Sequence, residues 1–238
     1  PIGTSVKDTW VLAMLHDGLA LKSAGADKVT KALTKQGQSY NDPDFVKAAN
    51  CIKELVDMGA FIDGATGLSN DEASASFYAE QVPMYFTGSW MGGSIVTDAE
   101  KPDNFAVAPI PVVNSKNASV TDFMGGGSDT LMVSADTKNK DLAAAAAFEI
   151  TRGVSKHAYL SGAGIPAWTV DYDASSVPAL TQQVADIAGK ATSYTLWFDT
   201  LMSSDDAGEY LTLLQSLFAG DLKPEEFAAS MDKQLSKK

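Results

Sequence analysis

The sequence predicts an α/β fold in which helical ends flank a strand-containing middle. Three observations carry that expectation. Apolar residues recur at helical spacing in the first and last thirds of the chain. The middle third holds short apolar runs cut by glycine and proline, the pattern of brief strands and turns. Hydrophobic residues make up 45% and charged residues 20% of the 238 residues, which is the balance of a globular chain and not of a disordered one. At about 100–200 residues per domain, the length gives one large domain or two small ones.

Element by element, Val11, Leu15 and Leu19 mark a first helix that ends near Gly25. Asp42-Pro43-Asp44 supplies an N-cap, a proline at the first helical position and an acidic first turn. Phe45, Ala49, Ile52 and Val56 then form one helix face, and Gly59 stops it. Asn70-Asp71-Glu72 opens a third helix, with Ala73 and Phe77 on one side. Residues 82–86 read as a short strand, broken at Gly88 before Trp90. Phe105-Ala106-Val107 reads as a second strand, ended by Pro109 and Pro111. Residues 114–121 form a polar loop, and Gly125-Gly126-Gly127 leads to a third strand, Leu131-Met132-Val133. Asn139 caps a helix through Leu142, Ala146 and Ile150 that Gly153 ends, and a short helix to Leu160 leads into a tight turn at 161–166. Pro178 starts the next helix and Gly189 ends it. Tyr210, Leu214 and Leu217 line another, stopped at Gly220. Pro224-Glu225-Glu226 opens the last, with Phe227, Met231 and Leu235 at i, i+4, i+8.

Charge narrows the function. The 18 Lys and Arg against 30 Asp and Glu give a net charge of −12. Nucleic acid is thereby excluded as a general partner, because phosphate contacts need Lys and Arg. An anionic membrane surface is equally unsuited. Cys51 is the single cysteine, so no internal disulfide forms and no cysteine-rich zinc site exists. No apolar run reaches the roughly 18 residues of a membrane span. Pro1 is not an initiator Met, so the chain reads as a processed or trimmed piece of something longer.

Catalytic patterns are weak. Gly126-Gly127-Ser128-Asp129-Thr130 lacks the glycine that a nucleophile elbow needs after its serine. His16 and His157 read as surface or edge residues, and Cys51 as a buried structural thiol. Asp171-Tyr172-Asp173 lacks the glycine and distal Glu of a calcium loop. Gly162-Ala163-Gly164 lacks the third glycine of a dinucleotide cradle. Asp205-Asp206 and Glu225-Glu226 read as solvated helix starts. Neither a metal nor a cofactor is expected.

The tryptophans carry more. Trp90 sits among glycines after a predicted strand, in Tyr85-Phe86-Thr87-Gly88-Ser89-Trp90-Met91-Gly92-Gly93. Trp10 begins a helix just after Asp8, and Trp197 is two residues before Asp199. An aromatic face beside Asp, Thr and Ser suits a sugar. The ring covers the apolar C–H face of a pyranose while the polar groups pair its hydroxyls.

Five segments, in order, resemble the extracellular solute-binding proteins that serve as carbohydrate-binding components of ABC importers, a family similar to maltose-binding protein. Residues 77–90 resemble its F-x-x-G-x-x-A-M-x-x-x-G-x-W segment, and residues 41–61 its D-P-x-F helix. Residues 105–112 resemble its F-x-V-x-P-x-P strand. Residues 125–149 resemble its glycine-rich segment and following helix, and residues 217–234 its closing L-x-x-G-x-x-x-P-E-E helix. Two local departures stand out: Gln81-Val82-Pro83 argues for an edge or a kink, and Lys223 replaces a Ser or Thr cap.

The resemblance implies a periplasmic-binding-protein-like type II fold. It implies a mostly helical C-terminal lobe at 1–101 and 169–238, and a partial N-terminal lobe at 102–168. Most of the N-terminal lobe would be absent, leaving apolar surface open to a non-native dimer. The implied function is capture of a mono- or oligosaccharide by closure of two lobes, without catalysis, and delivery to an ABC-transporter permease. The implied location is extracellular or periplasmic, as a cell-surface lipoprotein or a free protein. Trp90 would be a stacking platform, and Trp197 would lie near the position of a second stacking aromatic. Trp10 and Asp8 would face the cleft, Asp199 would accept bonds from sugar hydroxyls, and Gly125, Gly126 and Gly127 would line the cleft from the other lobe. Two alternatives remain: a captor of another solute, and a glycan hydrolase using Asp8 and Asp199 as a carboxylate pair about 5–9 Å apart.

Overall fold

The computed structural model describes residues 1–127 and 129–237. Ser128, the serine of the weak elbow pattern, and Lys238 lie outside the described residues. The chain runs β1 (Ile2–Gly3), α1 (Thr9–Ala24), α2 (Ala26–Leu33), α3 (Pro43–Asp57), α4 (Asn70–Tyr78), β2 (Met84–Tyr85) and α5 (Met91–Asp98). A short 3-10 helix at Pro102–Asn104 follows. Then come β3 (Asp122–Met124), α6 (Lys140–Ser161), α7 (Ala179–Ala188), β4 (Ser193–Thr195), α8 (Phe198–Leu201), α9 (Ser204–Ala219) and α10 (Pro224–Leu235).

The chain divides into two compact units. The first is Pro1–Thr87, Ala108–Gly126 and Lys190–Lys238; the second is Gly88–Val107 and Gly127–Gly189.

In the first unit, caps fix the helix starts that the sequence predicts. The Asp42 side chain accepts the Asp44 N–H at 2.9 Å, ahead of Pro43. Ser69 caps α4 in a reciprocal box with Glu72. Lys223 makes no side-chain cap, but the Glu226 carboxylate reaches back to the Lys223 N–H at 3.0 Å. The core gathers Leu12, Leu15 and Leu19 of α1 with Phe45, Ala49 and Ile52 of α3, Tyr210, Leu214 and Leu217 of α9, and Phe227, Met231 and Leu235 of α10. Tyr40 stacks on Phe45 with ring centroids 4.2 Å apart. Lys22 is fully buried on α1. Its ammonium is satisfied by the carbonyls of Ser119, at 2.8 Å, of Val120, at 3.0 Å, and of Asp122. That contact pins the chain just before β3 to α1.

Both sheets of this unit are parallel pairs. β1 lies beside β2, with Ile2 opposite Met84. β3 lies beside β4, with Phe123 opposite Tyr194. These strands are two or three residues long, too short to show a period of two. Only β2 falls inside a run read from the sequence, and β1, β3 and β4 went unread.

In the second unit, α5 packs close to the end of α6 because Gly92 and Gly93 have no side chains. A Cβ at Gly92 would lie 2.6 Å from the Gly162 carbonyl oxygen, and one at Gly93 would lie 3.1 Å from the Ala163 Cβ. Gly162 closes α6 in the left-handed conformation. The rest of α6 has no buried residue. Leu142, Ala146, Ile150 and Val154, four residues apart, make one exposed apolar stripe. Phe148 meets Trp168 edge-on at 4.7 Å between ring centroids.

Three expectations are corrected here. Residues 105–107 and 131–133 form no strand, and Leu131, Met132 and Val133 are exposed. An apolar run becomes a strand only where a second strand pairs its backbone. Gly153 does not end its helix: α6 runs through it to Ser161, because a mid-helix glycine costs only about 1 kcal/mol.

Candidate functional site

In the first unit, α1 is buried along its whole length except at Trp10, whose indole is 43% exposed. Nothing in the core requires an exposed indole at the head of an otherwise buried helix. Asp8 immediately precedes this helix. Its carboxylate accepts the Asn70 N–H at 2.6 Å, and its own N–H donates to Ser5 Oγ at 2.8 Å. The Tyr85 hydroxyl donates to Asn70 Oδ1 at 3.0 Å. Burial, with Tyr78, Asp71 and Asp8 nearby, pushes the Tyr85 phenol up to about 12, so it stays a donor at neutral pH. The loop that leads into α1, just before Thr9 and Trp10, is thus tied to the start of α4.

The second aromatic of this unit lies at the end of the β3–β4 ladder. The Gly125 N–H donates to the Thr195 carbonyl at 2.8 Å and extends the ladder by one step. Gly126 adopts a φ of +81, and a Cβ there would lie 2.9 Å from the Tyr194 Cβ. The glycines therefore let β3 run past Tyr194 at close range. From the same end, β4 passes through Leu196 to Trp197, half-buried at the head of α8, and then to Asp199, which is exposed. In parallel sheets, ligands bind beyond the carboxyl ends of strands.

Beneath this turn runs a polar chain that the sequence reading missed. Phe198, between Trp197 and Asp199, is fully buried, and its N–H donates to Asp17 Oδ2 at 3.2 Å. The Tyr210 hydroxyl donates to Asp17 Oδ1 at 2.6 Å. With Asp17 ionised, Tyr210 Oη gives its proton there and accepts from His16 Nδ1 at 2.8 Å; with Asp17 protonated, the direction along the chain can reverse. His16 is not a surface residue as expected. It is fully buried against Phe198, Tyr210 and Phe227, and burial lowers its pKa to about 3, so it is neutral. Burial raises Asp17 to about 8, opposed by the Tyr210 and Phe198 bonds and reinforced by the charge of Asp199. Adjacent titratable residues on a helix normally face different sides, so no local pattern signals that both are enclosed. Asp206 is corrected likewise: it is buried, bonded to Ser203 and Gln234, and paired with Lys35 at 3.0 Å.

In the second unit, Trp90 stands at the N-terminus of α5, 47% exposed. A Cβ at Gly88 would lie 2.0 Å from the Trp90 ring. The indole folds back over the Gly88 backbone, which is the physical reason for glycine two positions before this tryptophan. Gly127 is exposed. The structure thus joins Gly125, Gly126, Trp197 and Asp199 at one ladder end of the first unit, with Asp8 and Trp10 at the head of α1 in that unit. It places Trp90 and Gly127 in the second unit. Among the described residues, no group of three or more His, Cys, Asp or Glu could hold a metal ion, and no helix is long and apolar enough to cross a membrane.

The fold is α/β, of the periplasmic-binding-protein type, with part of the lobe architecture present. Residues 1–148 match the bacterial extracellular solute-binding protein family, and the chain belongs to that family. A protein of the thermophilic bacterium Caldanaerobius polysaccharolyticus, solved in work on xylan utilization, superposes with a TM-score of 0.93 at 31% identity; the match covers 98% of this chain and 60% of that one. A chitin oligosaccharide binding protein superposes with a TM-score of 0.86 at 23% identity, over 99% of this chain and 59% of its own. The solute-binding protein RafE, in complex with raffinose, gives 0.71 at 19% identity, over 99% and 60%. This chain therefore spans about three fifths of the length of the structures it matches. No curated protein is significantly similar to it in sequence.

Proposed function

We propose that this chain is the larger part of a sugar-capturing solute receptor of an ABC importer. One observation carries the reading. Trp10, Trp90 and Trp197 each follow, in the chain, the carboxyl end of a short parallel strand, and none of the three rings is fully buried. Each therefore offers an apolar face to a pyranose, while Asp199 and, through its free lone pairs, Asp8 accept from sugar hydroxyls. Gly125, Gly126 and Gly127 let backbone approach the ligand. Two structures that superpose on the chain are described with oligosaccharides, chitin oligosaccharide in one and raffinose in the other, which supports a sugar.

In this reading, residues 1–101 and 169–238 are the C-terminal lobe and residues 102–168 are a returning piece of the N-terminal lobe. Closure of the two lobes around the sugar requires the remaining two fifths of the fold. No bond is made or broken. The loaded receptor docks on permease subunits outside the cell or in the periplasm, anchored as a lipoprotein or free. The exposed stripe on α6 and the run 131–133 are the surfaces that the remaining segment covers, and without it they favour a non-native dimer.

Fluorescence titration with xylotetraose, chitotetraose and raffinose tests the reading. Quenching and a blue shift of tryptophan emission at millimolar sugar, reduced in Trp90→Ala and Trp197→Ala, are expected. Unchanged emission with every sugar, on this chain and on a protein completed with the missing segment, would overturn it.

A further inference from the structure

The polar chain under the Trp197 turn has no evident reason to exist for folding alone. A buried carboxylate, a phenol and a neutral imidazole occupy a place in the core where apolar side chains would pack without desolvation loss. Among the described residues, they connect to the turn by the bond from Phe198 N–H to Asp17 Oδ2, at 3.2 Å, in the residue between Trp197 and Asp199. Helix α8 is a single turn and its cap makes no side-chain hydrogen bond; the Trp197 carbonyl accepts from Thr200 and Leu201, and the buried Phe198 ring and the bond to Asp17 tie its start to the core.

We propose that Asp17 is a positioning residue for sugar capture: with Tyr210 and His16 behind it, it holds the Phe198 N–H and so sets the angle at which Trp197 and Asp199 meet the ligand. This rests on the sugar-receptor reading for its ligand, though not for the coupling itself. The geometry fits an ionised Asp17. Two donors, Tyr210 Oη at 2.6 Å and Phe198 N, reach its two oxygens separately, and a carboxylate accepts from both. A proton on Oδ1 can be shared with Tyr210 Oη, which then donates to His16 Nδ1, but it removes the charge that strengthens the bond from Phe198 N–H. The turn is therefore held more firmly when Asp17 is charged.

The titratable groups that face Asp17 come from every side. His16 is its neighbour on α1, Tyr210 reaches it from α9, Tyr40 from the segment before α3, and Asp199 from α8. Burial keeps His16 neutral and raises Tyr40 and Tyr210 well above the ordinary phenol range, so none of these three changes charge near pH 8. From α10, Phe227 packs on His16 and carries no charge.

The test uses the indole N–H resonance of Trp197 in the isotope-labelled chain, assigned by its loss in Trp197→Phe. In the unsubstituted chain that resonance is expected to move with a midpoint near pH 8. It is expected to stay flat in Asp17→Asn and to move with a shifted midpoint in Tyr210→Phe, which keeps the ring packing if the Asn variant fails to fold. Titration with xylotetraose is expected to show binding roughly three- to tenfold weaker in Tyr210→Phe, the effect of one lost hydrogen bond. Weaker binding of the unsubstituted chain below the midpoint than above it is expected as well. A Trp197 resonance with the same pH profile in all three proteins overturns the proposal. So does equal xylotetraose affinity in Tyr210→Phe and the unsubstituted chain. A coupled pH profile with no response of Trp197 to any sugar supports the positioning of the turn and overturns the sugar reading instead.

Discussion

Helices α1 and α6 are both rich in apolar residues, and they are treated oppositely by their surroundings. In the first unit, α1 is buried on every side apart from Trp10, with α3 and α9 packed on it. In the second, α6 carries an apolar stripe that nothing within its unit covers, and no residue of it is buried. Amphipathic patterning therefore states that a helix needs a partner. It does not state whether the partner is in the same chain. The first unit closes its own core, whereas the second keeps small glycine contacts between α5 and the end of α6 and leaves the helix body open.

The largest expected effect follows directly from this contrast. Phe227→Ala, at a fully buried ring in the first unit, should cost about 3–5 kcal/mol in urea unfolding. Ile150→Ala on α6 should change stability by about 0.5 kcal/mol or less in this chain. A large loss at Ile150 would show that the stripe already has a partner, for instance in a dimer.

A second effect separates the units by pH. Asp17 is raised from 3.8 to about 8, so its contribution to stability is fully present below about pH 4 and is lost as pH rises through 8. His16 is lowered from 6.5 to about 3, so its contribution is present above pH 6.5 and is lost as pH falls through 3. Between pH 6.5 and 8 the His16 contribution is constant and the Asp17 slope acts. The unfolding midpoint should therefore fall over that interval, and Asp17→Asn should remove most of the fall. An unchanged slope in Asp17→Asn would assign it to another group.

Gly88→Ala should come next. Its Cβ would enter the Trp90 ring, so the indole must move, at a cost of about 1–3 kcal/mol. Loss of sugar response at Trp90, with the first unit unfolding as before, is the expected outcome. Asp42→Ala, which removes the α3 cap, should cost about 1 kcal/mol in the first unit alone.

The parts of this structure legible in sequence are those with local causes. The Asp42-Pro43 start of α3, the glycine ends of α1 and α9 and the period of α10 each depend on a few neighbouring residues. The strands were read poorly because pairing is non-local: Leu131-Met132-Val133 has the composition of a strand and no partner, while Asp122–Met124 has a partner and little strand character. Of the candidate site, Gly88 before Trp90 and the Gly125-Gly126 pair were visible as glycines in odd places. Asp17, His16 and Tyr210 were not, since their enclosure depends on α9 and α10 folding back on α1 from the far end of the chain.

The proposed sugar role of the tryptophans, with only part of the grip held by this chain, sets the affinities to expect. A micromolar site is worth about −8 kcal/mol, and half of that is about −4, near millimolar. Calorimetric titration of xylo-oligosaccharides, chito-oligosaccharides and raffinose, on this chain and on the protein completed with the missing two fifths, tests it most directly. Micromolar binding of one sugar class by the completed protein, abolished in Trp90→Ala, and millimolar or weaker binding by this chain are expected. Absence of binding to every sugar by the completed protein, or micromolar binding by this chain alone, would contradict that expectation.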